Sequence, residues 1–347
     1  MQARVAFNAL ALRPNGTGVQ TYIAELLGAL ARRAPGHLRA AVQADACDLL
    51  PPGVAPLVRP VSSGPRRTLA GLRSLGPAEL VHGLDVDLPL RPGAPAVATV
   101  HDLSVFDVPE SFSRHRALGE QLVVTQALRR ADTIIAVSSF TAERIGERFG
   151  RPAVVVLEAT PTDLEPADAG AVEAVRLRYR LPERFVLHVG TIEHRKNLHM
   201  LGLACGRAGL RLVLAGSVPA GQTTPPEAVR LGYVAQADLA ALYGAATIVA
   251  YPSRYEGFGL PPLEAMRCGA AVVAADATAL PEALGTGALL VPPDDLDGWA
   301  ALLAELAADD GRRVELAEEG RRWAARRSWD DVAAETSAVY QTLGLEI

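Results

Sequence analysis

A chain of 347 residues has the length of two ordinary domains, and its 49% hydrophobic and 21% charged residues exclude the disordered, fibrous and coiled-coil classes. A formal charge of −5 leaves no basic surplus, so the chain is expected not to bind nucleic acid. Three cysteines, Cys47, Cys205 and Cys268, form an odd set without CxxC spacing, which excludes a disulfide framework and a zinc site and points to a reducing, cytoplasmic setting. The opening MQARVAFNALALRPNG has no charged leader region, and Asn8 and Arg13 interrupt its apolar residues, so it reads as a buried strand and not as a signal peptide. No apolar run reaches the roughly 18 residues that a membrane span needs.

Short runs rich in Val, Ile and Leu alternate with longer helical patterns, the signature of parallel sheets with crossover helices, and the fold class is α/β. In the first half the expected strands are 3–9, 38–43, 54–58, 79–83, 96–100, 132–137 and 153–157, with helices at 18–33, 113–130 and 139–149. The segment ATPTDLEPADAG (159–170) breaks both periodicities with its Pro, Asp and Gly, and the domain boundary is placed there. In the second half, strands at 185–190, 211–216, 229–234, 246–251, 271–275 and 287–291 alternate with helices at 197–208, 236–245, 260–268 and 295–307. Two doubly wound, Rossmann-like units facing a cleft are therefore expected, the first over 1–165 and the second over 175–325, followed by a terminal helix in 326–347. In that tail, Trp329, Val332, Ala333, Thr336, Val339 and Tyr340 recur at helical spacing.

Open parallel sheets bind ligands at the carboxyl ends of their strands, and four turns there are unusual. In VGTIEHRKNL (189–198) a strand ends at Gly190, where backbone approach is easy, and a helix begins near Asn197 with free N–H groups and a positive dipole end. Arg195 and Lys196 add two cations, and Lys196 is the one lysine beside 33 arginines, a compact charge suited to phosphate in a tight pocket. The plain alternative is a solvated basic pair with Asn197 as an N-cap. In PSRYEGFGLPPLEAMRCGAAVV (252–273), Glu256 opens a Gly257-Phe258-Gly259 loop, and Glu264 follows in the first turn of the next helix. Glycines beside carboxylates suit a ligand with many hydroxyls, as a sugar has. In TVHDLSVFDVPESF (99–112) a buried strand delivers His101 and Asp102 to its end, where His101 either meets a substrate or is structural. The fourth turn, RPNGTGVQTYIAEL (13–26), holds Gly16 and Gly18, and without a third glycine it is no dinucleotide fingerprint.

Together these four turns, in this order, resemble the retaining family 4 glycosyltransferases of the GT-B fold, along nearly the whole chain. PSRYEGFGLPPLEAM is similar to the family's signature of two glutamates seven residues apart, and TGVQTY, HDLS followed by PE, and GTIEHRKNL are similar to the mannosyltransferase-like branch that builds bacterial surface polysaccharides. The resemblance implies an acceptor domain first and a nucleotide-sugar donor domain second, with the final helix crossing back to the first. Glu256 would face the donor sugar's hydroxyls, Glu264 the nucleotide ribose, Arg195 and Lys196 the diphosphate, and His101 the sugar. Further donor contacts are implied at Gly16, Gly18, Gly190, Gly216, Gly257, Phe258, Gly259 and Leu260. The expected activity is transfer of a hexose, best read as mannose from GDP-mannose, to a saccharide or lipid-linked glycan, with no cofactor and no metal.

Where relatives leave the first domain with Pro-Asn-Gly, this chain reads VVVLEATPTDLEP (154–166), a segment expected to touch no donor residue. The Asp85-x-Asp87 pair lacks the further ligands of a divalent site and is not assigned one. Alternatives on the same fold are a pyridoxal phosphate-dependent sugar phosphorylase, whose Schiff base would need Lys196, and a non-catalytic sugar-nucleotide-binding subunit. Arg321, Arg322, Arg326 and Arg327 on the tail, or Arg114, Arg116, Arg129 and Arg130 on the 113–130 helix, could rest on the inner face of an anionic membrane.

Overall fold

A computed structural model describes residues 3–14, 16 and 18–347. They pack as two units: one runs to Ala159 and takes in Ser328–Ile347, and the other spans Thr160–Arg327. The sheet of the first unit contains β1 (Val5–Asn8), β2 (Leu38–Gln43), β3 (Val54–Arg59), β4 (Leu80–Gly83), β5 (Ala96–Val100), β6 (Thr133–Ala136) and β7 (Val154–Val155), all parallel, in the order β3-β2-β1-β4-β5-β6-β7. Strands β1, β4 and β5 are wholly buried, which is why they read as unbroken apolar runs and not as alternating ones. At the sheet edge β7 has one neighbour, and the expected strand at 153–157 keeps only two residues in the ladder.

The second unit repeats the design with β8 (Phe185–Val189), β9 (Arg211–Ala215), β10 (Val229–Gly232), β11 (Ile248–Tyr251), β12 (Val272–Ala275) and β13 (Leu289–Val291), again parallel, in the order β10-β9-β8-β11-β12-β13. In each sheet the chain starts in the middle and winds outward both ways. The strand order therefore reverses between β1 and β4 and between β8 and β11, where crossover helices diverge and leave a crevice at the carboxyl ends.

Helices not read from the sequence occupy Gly64–Gly71, Ala169–Tyr179 and Asp310–Ala324. The second overlaps the end of the interdomain segment: Asp168 caps it by accepting from the Ala171 amide at 2.8 Å, so the stretch 159–170 stops being irregular at its last two residues. The tail is two helices. Chain direction changes at 325–328, and Trp329–Thr342 begins with a capping box in which Ser328 and Asp331 exchange side-chain bonds to each other's amides. Arg321 and Arg322 consequently close the preceding helix in the second unit and do not lie on the terminal one.

The terminal helix packs on Gly18–Arg33 within the first unit. Trp329 meets the Tyr22 ring edge-on at 5.7 Å, and burial of an aromatic of this kind contributes about 4–6 kcal/mol of apolar transfer. Its polar atoms are chained: Tyr340 OH to His82 Nδ1 at 2.7 Å, His82 Nε2 to Thr99 Oγ1 at 2.8 Å, and Thr99 Oγ1 to Tyr22 OH at 3.1 Å. Burial pushes the His82 ring down to about 3, so it sits there neutral.

Candidate functional site

In the second unit the loops after β8 and β11 meet at the strand-order reversal. A short 3₁₀ turn, His194–Lys196, presents Arg195 and Lys196, and the loop after β11 presents Glu256. Lys196 Nζ donates to Glu256 Oε1 at 2.5 Å, and Arg195 Nη1 donates to Glu256 Oε2 at 3.0 Å and to the Tyr255 carbonyl at 2.7 Å. Arg195 Nε also donates to Glu193 at 2.9 Å, and the Arg195 carbonyl accepts from the Arg254 amide at 2.8 Å. Lys196 is 7% exposed, so burial penalises its charge and lowers its pKa, although Glu256 opposes that shift. Burial also disfavours charge on Glu256, but the two cations prevail and hold its carboxyl down at about 2. The direction that stands for the cluster is an ionised carboxylate gripped by two cations.

Several expectations change in detail. Asn197 holds the N-cap position of Leu198–Arg207 without a side-chain capping bond: it sits in the left-handed region at φ 56°, and its side-chain amide donates to the Pro293 carbonyl at 2.6 Å. Nor is the Gly190 amide free for a ligand, because it extends the β8–β9 ladder to the Ala215 carbonyl at 2.8 Å. Gly216, at φ 149°, lies against that turn so tightly that a Cβ would stand 1.9 Å from the Gly190 carbonyl oxygen. These two glycines bring the ends of β8 and β9 together. Glu264 is the fifth residue of the helix Leu260–Arg267, just past the first turn in which it was expected, and it is buried with Tyr243 OH donating to it at 3.3 Å. Phe258 and Leu260 are core side chains, so only their backbone can face a ligand. Gly257 stands between them and Glu256, and Gly259, at φ 116°, has Leu280 within 2.7 Å of where a Cβ would be.

Three partners of this cluster were absent from the sequence reading. Glu193 lay within the quoted loop, two residues from Arg195. Tyr243 and Thr278 had no local signal. Thr278 accepts from the Glu256 amide at 3.1 Å while holding φ 55°, a strained conformation for a β-branched residue.

In the first unit, His101 stands just past β5. Its Nε2 lies 2.9 Å from the Leu84 carbonyl and its Nδ1 lies 3.2 Å from Glu158 Oε1. Burial disfavours the ring's charge, but the hydrogen bond and charge of Glu158 outweigh it and raise the ring to about 9. This corrects the expectation for 154–166: the segment does touch a candidate site residue, through Glu158. Asp85 and Asp87, past β4, face the guanidinium of Arg67 at 3.8 and 3.1 Å. Between them Val86 takes φ 48°, and burial raises Asp87 to about 7 against the pull of Arg67. Gly16 is exposed beside Gln20, and Gly18 opens the first helix; Asn15 and Thr17 of the same turn lie outside the described residues. Among the described residues no group of three or more His, Cys, Asp or Glu is arranged to hold a metal ion, and no helix is long and apolar enough to cross a membrane.

Known proteins carry the same two halves. Residues 16–164 match the model of "Glycosyltransferase Family 4" and residues 176–323 that of "Glycosyl transferases group 1". O-antigen chain mannosyltransferase B of Escherichia coli is 33% identical over 299 residues, covering 80% of this chain and 78% of that one. D-inositol 3-phosphate glycosyltransferase of Xylanimonas cellulosilytica is 32% identical, covering 73% of this chain and 66% of its own length. The crystal structure of Anabaena Alr3699/HepE in complex with UDP and glucose shares the fold, with a TM-score of 0.75 at 20% identity over 98% of this chain and 100% of the other. Two matching halves and a relative alike over most of both lengths mean that this chain belongs to glycosyltransferase family 4, as an enzyme of GT-B fold in the mannosyltransferase-like branch.

Proposed function

We propose that the enzyme is a retaining, metal-independent mannosyltransferase that moves mannose from GDP-mannose to a hydroxyl of a saccharide or a lipid-linked glycan. The convergence of Arg195, Lys196 and Glu256 at the β8/β11 crevice carries this reading. Breaking the bond between the anomeric carbon and the phosphate oxygen leaves negative charge on the diphosphate. Two fixed cations in a buried position stabilise that charge, which is the task a divalent ion performs in other transferases. With donor bound, the diphosphate oxygens take the N–H donors of Arg195 and Lys196, and Glu256 turns its oxygens to sugar hydroxyls. The acceptor hydroxyl attacks from the face the diphosphate leaves, its proton passing to the departing phosphate oxygen, and the anomeric configuration is retained.

Mannose as the transferred sugar is supported by the name of the 33% identical Escherichia coli relative. A second reading, with an inositol phosphate as acceptor, is supported by the 32% identical relative. A membrane-bound acceptor is supported by the helix Arg114–Arg130, where Leu118 and Leu122 are exposed one turn apart among Arg114, Arg116 and Arg129. GDP release from GDP-mannose, compared with UDP release from UDP-glucose and measured with mannosyl and inositol phosphate acceptors, tests donor and acceptor. The mannosyl reading fails if only the uridine donor turns over. Activity is expected to survive EDTA, and loss with rescue by Mn²⁺ would refute metal independence. Sedimentation with anionic liposomes at low salt is expected to carry the protein down, and Arg114→Ala with Arg116→Ala to release it.

A further inference from the structure

We propose that Glu158 is a positioning residue for the transfer reaction, holding His101 as a doubly protonated imidazolium so that His101 supplies a fixed positive charge and does not act as a general base. The proposal rests on the reading of His101 as a residue that meets the transferred sugar. Glu158 stands in the loop after β7 and is 5% exposed, and a carboxylate so buried needs a partner. That partner is His101 Nδ1, at 3.2 Å, and across the ring Nε2 meets the Leu84 carbonyl at 2.9 Å. A carbonyl oxygen and an ionised carboxylate can only accept, so both ring nitrogens carry protons.

The other neighbours agree with a charged ring. Asp85, from the turn after β4, adds negative field, and the edge contact of Tyr22 at 4.7 Å fixes the ring plane. His82 behind it is neutral, Asp102 is turned to the amide and hydroxyl of Ser104, and Thr141 donates to the His101 backbone carbonyl at 3.5 Å. A base needs a free lone pair, and an imidazolium has none. Held from both sides by Glu158 and the Leu84 carbonyl, the charged ring keeps one orientation without reorganising. The clamp also joins the end of β4 to the chain leaving β7, across β5 and β6, so it sets where the ring stands as well as its charge.

Imidazole ¹H–¹⁵N spectra of the full chain, with His101→Gln assigning the ring, read this directly. Both His101 nitrogens are expected to remain protonated at neutral pH and to titrate near pH 9, while His82 and His188, at about 3 and about 4, stay neutral. A neutral His101 ring at about pH 7.5 in the wild-type protein overturns the proposal, whether or not any variant folds. In Glu158→Gln the ring is expected to titrate at least about one pH unit lower. GDP release from GDP-mannose in that variant is expected to fall away at correspondingly lower pH, and to recover about tenfold on acidification from about pH 9 to about pH 6. A basic limb that the substitution does not move overturns the positioning role. A wild-type enzyme inert toward GDP-mannose counts against the donor proposed above, and the spectra still decide the state of His101.

Discussion

Replacing Lys196 by alanine removes the one ammonium side chain of the protein from the centre of the β8/β11 cluster. In the wild type that group is 7% exposed and 2.5 Å from Glu256 Oε1, while Arg195 holds the other carboxylate oxygen at 3.0 Å. Stripping one partner from a buried ion pair destabilises by about 3–5 kcal/mol when the remaining charge is left alone. Here Arg195 stays on Glu256, so the expected loss of stability is about 3 kcal/mol at most. The effect on turnover is separate. One preorganised donor aimed at growing negative charge is worth about 2.7–4 kcal/mol, which at about 1.4 kcal/mol per decade is a loss of about 100-fold or more in kcat. GDP release from GDP-mannose, normalised to the folded fraction from calorimetric melting, separates the two effects. Lys196→Arg keeps the charge but forces a broad planar fork into a site sized for a point charge, and it is expected to fold and lose about tenfold or more. Turnover per folded molecule within about threefold of wild type for Lys196→Ala would refute the diphosphate assignment.

Arg195→Ala is expected to lower turnover by about 100-fold as well, since it removes a second donor from the same charge; near-normal rates would mean that the guanidinium only braces Glu193 and Tyr255. By calorimetry, Glu256→Ala should weaken GDP-mannose more than GDP, and Glu264→Ala should weaken both; equal losses in both variants contradict the division between sugar and ribose. Tyr340→Phe leaves His82 Nδ1 without its partner in a fully buried chain and is expected to cost about 1–3 kcal/mol in urea unfolding. The Glu256 carboxyl, at about 2 when folded against 4.5 when free, contributes stability that is fully present above about 4.5 and is lost as pH falls from there toward 2. Melting temperature followed over that window should therefore decline less steeply in Glu256→Gln, and an identical slope would show that the pair does not govern acid unfolding.

Much of this molecule is local in origin. A strand buried on both faces needs an unbroken apolar run, and a crossover helix needs a 3.6-residue stripe. The alternation along the chain therefore identifies the strands to within two residues at each end and the helix Gly18–Arg33 to the residue. The chemistry of single turns was equally local: Arg195 and Lys196 beside Gly190, and Glu256 before Gly257, were visible as unusual residues at strand ends. The helix at Gly64–Gly71 escaped because it is only 8 residues long and polar overall, and Asp310–Ala324 because it is polar and displays no plain apolar stripe. The break before Trp329 escaped because a capping box is a bond between two side chains and leaves the apolar recurrence after it unchanged.

What no window of sequence contains is which turns become neighbours. Lys196 and Glu256 are 60 residues apart and meet because β8 and β11, not β8 and β10, lie side by side. His101 and Glu158 are 57 apart, and the segment carrying Glu158 reads as a linker until β5, β6 and β7 are laid in order and bring its carboxylate to the ring. Strand order follows from the packing of whole helices across a sheet, a sum over many weak apolar contacts with no single local signature. The protonation of His101 and of Glu256 depends in turn on burial and on partners delivered by that order, and so became legible only once the chain was folded.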